Sequence, residues 1–192
     1  RRVLFRSLLQ IENEYYSTIR PKRVIRPGER PLHALRERAV EYVEVRCMDL
    51  DPFEPVGIAA DTMRVIDVFL LHCLLSDSPP DSPAEIAALA RNQPLTAARG
   101  REPGLQLERD GQSVLLSDWA RELLAALEPL AARVDQALRG EAYAEALRHA
   151  QAQLETPDQL PSARVLAAMR ATHQDSYVGF IQQRSLQTQA EL

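Results

Sequence analysis

At Asp61 the spacing of apolar residues changes, and that change divides the chain. Before it, short β-type runs are cut by Pro21, Pro27-Gly28, Pro31, Pro52 and Pro55-Val56-Gly57, which end strands and make turns. After it, apolar residues recur every three or four positions, first through Met63, Ile66, Phe69, Leu70, Cys73 and Leu74. Leu123, Leu127, Leu130, Val134 and Leu138 repeat the pattern further on. A strand sends alternate side chains to opposite faces and a helix returns to one face every 3.6 residues, so no stretch serves as both. The expected class is α+β, with short strands in residues 1–58 and a mainly helical segment over residues 59–192. The 192 residues, 45% of them hydrophobic, are enough for one domain with one sizeable core.

Within the helical segment, Asp61 is placed to cap a first helix that ends near the Ser-Pro cluster of Ser76 to Pro83. Its run Val65 to Leu75 contains Asp67 and His72; it is too short and too polar to span a bilayer and reads as a buried helix. A second helix starts near Ser82 with Pro83 in its first turn. Leu105 to Leu116 reads as a hairpin, because Asp110-Gly111 accepts the positive φ angles of a tight turn. Ser117 opens a long helix that Pro129 kinks or splits and Gly140 closes. Helical runs over Glu141 to Leu154 and Ser162 to Thr172 follow, then an amphipathic piece with Tyr177, Phe180 and Ile181 and a Gln-rich tail.

Several function classes drop out. A net charge of -4 does not suit a dedicated nucleic-acid binder, although Arg20 to Arg38 holds a local excess of five positive charges. His33, His72, His149 and His173 are scattered and form no metal-binding spacing, and no glycine-rich phosphate loop or nucleophile elbow occurs. Cys47 and Cys73 sit in no disulfide or redox spacing, so they are expected to be buried free thiols in a reducing compartment, which makes the cytoplasm the expected location. The chain opens at Arg1 without an initiator Met or a signal peptide and reads as an incomplete chain.

Chemistry, if present, belongs to the first third. In "VEYVEVRCMDLDPF", Val40 to Phe53, alternation puts Glu44 and Arg46 on one face and Val43, Val45 and Cys47 on the other, the expected core face. Glu44 and Arg46 then lie roughly 6–7 Å apart along the strand. A carboxylate suits a hard cation such as Mg²⁺ and a guanidinium fork suits phosphate oxygens, so the pair fits phosphoryl transfer. It also fits a plain ion pair on a solvated face, and the residues alone leave both open. In "LLQIENEYYSTIRPKR", Leu8 to Arg23, Tyr16 offers an apolar wall and a hydroxyl, and Arg20 or Lys22 suits a carboxylate or phosphate.

Taken in order, "LLQIENEYY", "IRPKR", "VEYVEVRCMDLDPFEPVGI", "GREPGL" and "LPSARVL" resemble the C-terminal part of the bacterial, monofunctional type of glutamate–cysteine ligase. The resemblance is most specific from Leu8 to Ile58. It implies an ATP-dependent enzyme that joins the L-glutamate γ-carboxylate to the L-cysteine amine through γ-glutamyl phosphate, the first step of glutathione synthesis. It implies a glutamine-synthetase-like ligase fold, in which the strands of residues 1–58 are antiparallel, with Mg²⁺ held between ATP and glutamate, and a protein that is monomeric when complete. Carried over by position, Glu44 matches a metal ligand, Arg46 the arginine that meets the transferred phosphate, and Tyr16 a tyrosine lining the cysteine pocket. The family's other acidic ligands lie in a segment not present in this sequence, so the chain is expected to be inactive and aggregation-prone by itself. Two other readings stand beside this one: a related carboxylate–amine ligase with another amine, and a non-catalytic helical interaction module.

Overall fold

A computed structural model describes residues 18–46 and 48–191. The chain forms two compact units, Arg1–Asp49 and Leu50–Leu192.

In the first unit, strand β1 (Ile19–Lys22) pairs antiparallel with strand β2 (Tyr42–Val45), placing Arg20 opposite Glu44 and Lys22 opposite Tyr42. Between them runs helix α1 (Pro31–Arg38). The approach to α1 is a turn in which Glu29 N–H donates to the Arg26 carbonyl and Gly28 takes φ +80°, a conformation that costs little without a Cβ. Pro31 starts the helix because its fixed φ is already helical and its missing N–H would have no partner there. The far end of α1 leaves carbonyls unpaired. The Arg23 guanidinium donates to those of Arg38 and, at 3.3 Å, Ala39. Arg38 turns back to Glu29 at 2.5 Å and to the Val24 carbonyl at 3.1 Å. Two cations of the basic stretch, Arg23 and Arg38, therefore hold its own backbone.

The expected core face of β2 is not covered by the described residues: Val43 and Val45 remain 38% and 36% exposed. Alternation determines which side chains share a side; it does not supply a layer to cover that side.

The second unit is built on three helices, α2 (Ala60–Leu75), α4 (Leu116–Leu138) and α5 (Ala142–Glu155). Val68, Leu127, Ala131 and Leu147 form its core, with Val65, Phe69, Leu124, Leu130 and Tyr143 packed around them. Helix α3 (Pro83–Arg99) begins with a capping box: Ser82 Oγ accepts from Glu85 N–H while the Glu85 carboxylate accepts from Ser82 N–H. Strands β3 (Gln106–Arg109) and β4 (Gln112–Leu115) make a hairpin whose turn residues Asp110 and Gly111 have φ +52° and +74°. A 3-10 turn (Pro157–Gln159) and helices α6 (Pro161–Thr172) and α7 (Tyr177–Glu191) complete it.

Four local expectations change. Asp61 lies inside α2, whose N-cap is Ala59, and its carboxylate turns to Arg64 and His149. The run Val65 to Leu75 is only partly buried, with Leu74 and Leu75 largely exposed, and Cys73 is exposed too. Helix α4 is not split at Pro129 but runs past it as one element. It ends on Arg139, which takes the left-handed conformation in place of Gly140, and the Asp135 carbonyl there accepts from Gly140 N–H.

Candidate active site

The polar face of the β1–β2 ribbon follows from register. Residues directly opposite in an antiparallel pair share a face, so Arg20 and Lys22 of β1 join Tyr42 and Glu44 of β2, with Arg46 just beyond the strand end. Arg46 N–H donates to the Thr18 carbonyl at 2.7 Å, which keeps its backbone in line with the ribbon.

Glu44 is the centre of this face. Its Oε2 accepts from Arg46 Nε at 2.9 Å and lies 2.8 Å from Nη2, while its Oε1 faces Lys22 Nζ at 3.5 Å. Each carboxylate oxygen thus has a cation of its own. All three side chains remain partly exposed, so the pairs are accessible and tie the fold together only weakly. Partial desolvation pushes the Glu44 carboxyl up, but the hydrogen bond and charge of Arg46 together with Lys22 outweigh it and hold the group below its ordinary value. Glu44 is an ionised, acceptor-only group on a face otherwise rich in cations.

Of the residues singled out in the sequence, Glu44 and Arg46 are in contact; Tyr16 and Cys47 lie outside the described residues. Lys22 is the partner that sequence reasoning did not assign. Its signal is the register itself, which a short turn would have made countable but a connection spanning residues 23–41 does not. Among the described residues no group of three or more His, Cys, Asp or Glu is placed to hold a metal ion, and of this face only Glu44 could contribute a carboxylate oxygen to one. That fits Mg²⁺, which keeps waters and phosphate oxygens beside one or two carboxylates. None of the described helices is long and apolar enough to cross a membrane.

A family model described as glutamate-cysteine ligase matches residues 1–95, which include the whole ribbon. The glutamate–cysteine ligase of Bordetella petrii is 55% identical over 166 residues, covering 85% of this chain and 31% of that protein. The one from Azotobacter vinelandii is 51% identical over 180 residues, covering 94% of this chain and 34% of its own length. A crystal structure of glutamate–cysteine ligase from Francisella tularensis in complex with AMP superposes with a TM-score of 0.84 at 38% identity, over 95% of this chain and 36% of that one. The chain spans about a third of the length of the curated relatives it matches. At these identities, and with the fold shared across nearly all of its residues, the chain belongs to the glutamate–cysteine ligase family.

Proposed function

We propose that this chain is part of an ATP-dependent ligase that makes γ-glutamylcysteine from L-glutamate and L-cysteine, opening glutathione synthesis in the cytoplasm. In that reaction the glutamate γ-carboxylate attacks the γ-phosphorus of ATP and ADP leaves. The cysteine amine then attacks the acyl carbon of γ-glutamyl phosphate, inorganic phosphate leaves and the amine gives up a proton. The reading rests on family membership and on one local observation: the "VEVR" strand presents a carboxylate and a guanidinium in contact on one accessible face.

In this reading Glu44 supplies an oxygen ligand to Mg²⁺, which neutralises phosphate charge when bound. Arg46 leaves Glu44 to hold the transferred phosphoryl group with its planar donors, where positioning and charge carry most of the rate. Tyr16 lines the cysteine pocket. The ribbon belongs to a curved, glutamine-synthetase-like sheet in the complete enzyme, which is a monomer. The AMP complex of the Francisella tularensis relative supports a nucleotide as one ligand.

The test is Arg46→Ala in a full-length enzyme carrying this segment. Turnover is expected to fall by roughly 100-fold or more while the melting temperature barely moves, because a single charge-stabilising donor is worth about that much. A loss of only a few-fold returns Arg46 to the surface ion pair in which it is seen. The amine is settled by comparing cysteine with 2-aminobutyrate and alanine.

A further inference from the structure

The unusual feature of the ribbon is that its one proposed metal ligand already has both oxygens occupied by cations. Arg46 takes Oε2 and Lys22 stands at Oε1, and Arg20 sits directly opposite on the partner strand. A divalent cation that approaches Glu44 meets two positive charges within ion-pair distance of the same carboxylate. Their repulsion has to be relieved, and an anion that takes both cations relieves it.

We infer that Glu44, Arg46 and Lys22 work as an exchange unit, in which a polyphosphate must draw Arg46 and Lys22 off Glu44 before that carboxylate is free for a divalent cation. This rests on the proposed function and goes beyond it. It gives Lys22 a role as a second phosphate-binding cation, and it makes metal and nucleotide depend on each other at this face. The exchange conserves charge pairing: every cation that leaves the carboxylate finds a phosphate oxygen, and the carboxylate finds the metal. An accessible, partly solvated face makes such a swap cheap, since the pairs lost are weak ones. Lys22 suits the task because a flexible four-carbon stem lets its ammonium swing from one acceptor to another, whereas Arg46 moves as a planar fork.

The inference requires effects of opposite sign from one substitution. In the full-length enzyme, Lys22→Met removes a competing cation from Glu44 and a donor from the phosphate. Binding of Mn²⁺ alone, used as a spectroscopic stand-in for Mg²⁺ and followed by electron paramagnetic resonance, is expected to tighten. Binding of the Mg²⁺ complex of a non-hydrolysable ATP analogue, followed by calorimetry, is expected to weaken. Couplings between sites commonly run from about 5-fold upward, and each change is expected to reach about that size. Lys22→Arg, which keeps the charge, is expected to restore the wild-type order. If both affinities move in the same direction, or neither moves more than about twofold, Lys22 only buttresses the strand and the exchange is wrong. If the unsubstituted enzyme fails to bind the nucleotide complex at all, the ligase reading falls first and this inference with it.

Discussion

Arg184 Nε, on α7, donates at 3.0 Å to the carbonyl of Pro52, 132 positions earlier in the chain. The same guanidinium reaches the Phe53 carbonyl at 3.3 Å and lies 5.4 Å from the centre of the Phe53 ring. Arg164, on α6, sits over that ring at 4.0 Å, and Phe180 packs against it at 5.8 Å. The loop so gripped is closed on itself: Asp51 N–H donates to the Gly57 carbonyl, and the Asp51 carboxylate accepts from Phe53 N–H. Gly57 suits the turn, because its φ of +78° costs little without a Cβ.

Arg184→Ala leaves two part-buried carbonyls without their charged donor, which costs about 1–3 kcal/mol. The expected signature is local, with amide exchange accelerating across residues 51–57 and at the start of α7 before the three-helix core is affected. Uniform acceleration across the second unit would show that the clamp belongs to the global fold.

Asp135 is buried at 6% exposure, and its two carboxylate oxygens accept from the N–H groups of Tyr143 and Ala144 at 3.0 and 2.8 Å. It is a residue of α4 acting as the cap of α5, whose own N-cap Glu141 provides no side-chain bond. Asp135→Ala should cost about 1–2 kcal/mol, the usual range for a lost cap, and urea denaturation measures it directly. Asp135→Asn keeps one acceptor oxygen and is expected to fall between the two.

Asn92 is also buried, and its amide imitates a neighbouring strand: Nδ2 donates to the Glu108 carbonyl at 2.7 Å and Oδ1 accepts from Glu108 N–H at 2.9 Å. This joins α3 to the edge of the hairpin. Asn92→Asp keeps the acceptor but turns the donor into a second acceptor facing a carbonyl. It is expected to destabilise by about 1–3 kcal/mol, and no less than Asn92→Ala; a near-neutral Asp variant in thermal melts would mean that the amide bonds are not maintained in solution.

What was legible in the sequence is what short-range periodicity fixes. The Asp110–Gly111 turn depends on two adjacent residues that tolerate positive φ, and the start of α3 needs only Ser82 followed by Pro83 in the first turn. The 3–4 spacing from Leu123 to Leu138 places the apolar side of α4, whose Leu127 enters the core. Burial was less legible, because it depends on what packs alongside: Cys73, Leu74 and Leu75 have the composition of a core and lie exposed. The stop at Arg139 was missed because a non-glycine residue accepts left-handed geometry when the cap around Asp135 demands it.

The ribbon divides the same way. That Glu44 and Arg46 share a side follows from a period of two, and their contact follows from the length of the two side chains. Lys22 at Oε1 depends on cross-strand register, and the grip of Arg184 on Pro52 spans most of the chain, so neither leaves a local trace.

Asp61 and His149 provide a pH test that is independent of the ligase reading. Asp61 Oδ2 and His149 Nδ1 are 2.6 Å apart, joining α2 to α5, and Oδ1 accepts from Arg64 at 2.8 Å. Nearby on the same helix pair, the Tyr143 hydroxyl donates to Asp67 at 3.5 Å, so two carboxylates of α2 face α5. The hydrogen bond from His149, with help from Arg64 and against partial desolvation, holds the Asp61 carboxyl below its ordinary value of 3.8. An acid depressed on folding stabilises the native state when ionised, so its contribution is whole above the ordinary value and disappears as pH falls through the lowered one. With the Asp61 side chain 37% exposed, solvent screens the pair and keeps the contribution under about 1 kcal/mol. The expected result is that Asp61→Asn melts slightly below the unsubstituted chain near pH 5, and that the two melting curves converge as the pH drops below 3.8. A gap that stays constant through that range would mean that the Asp61 carboxylate contributes through packing and not through its charge.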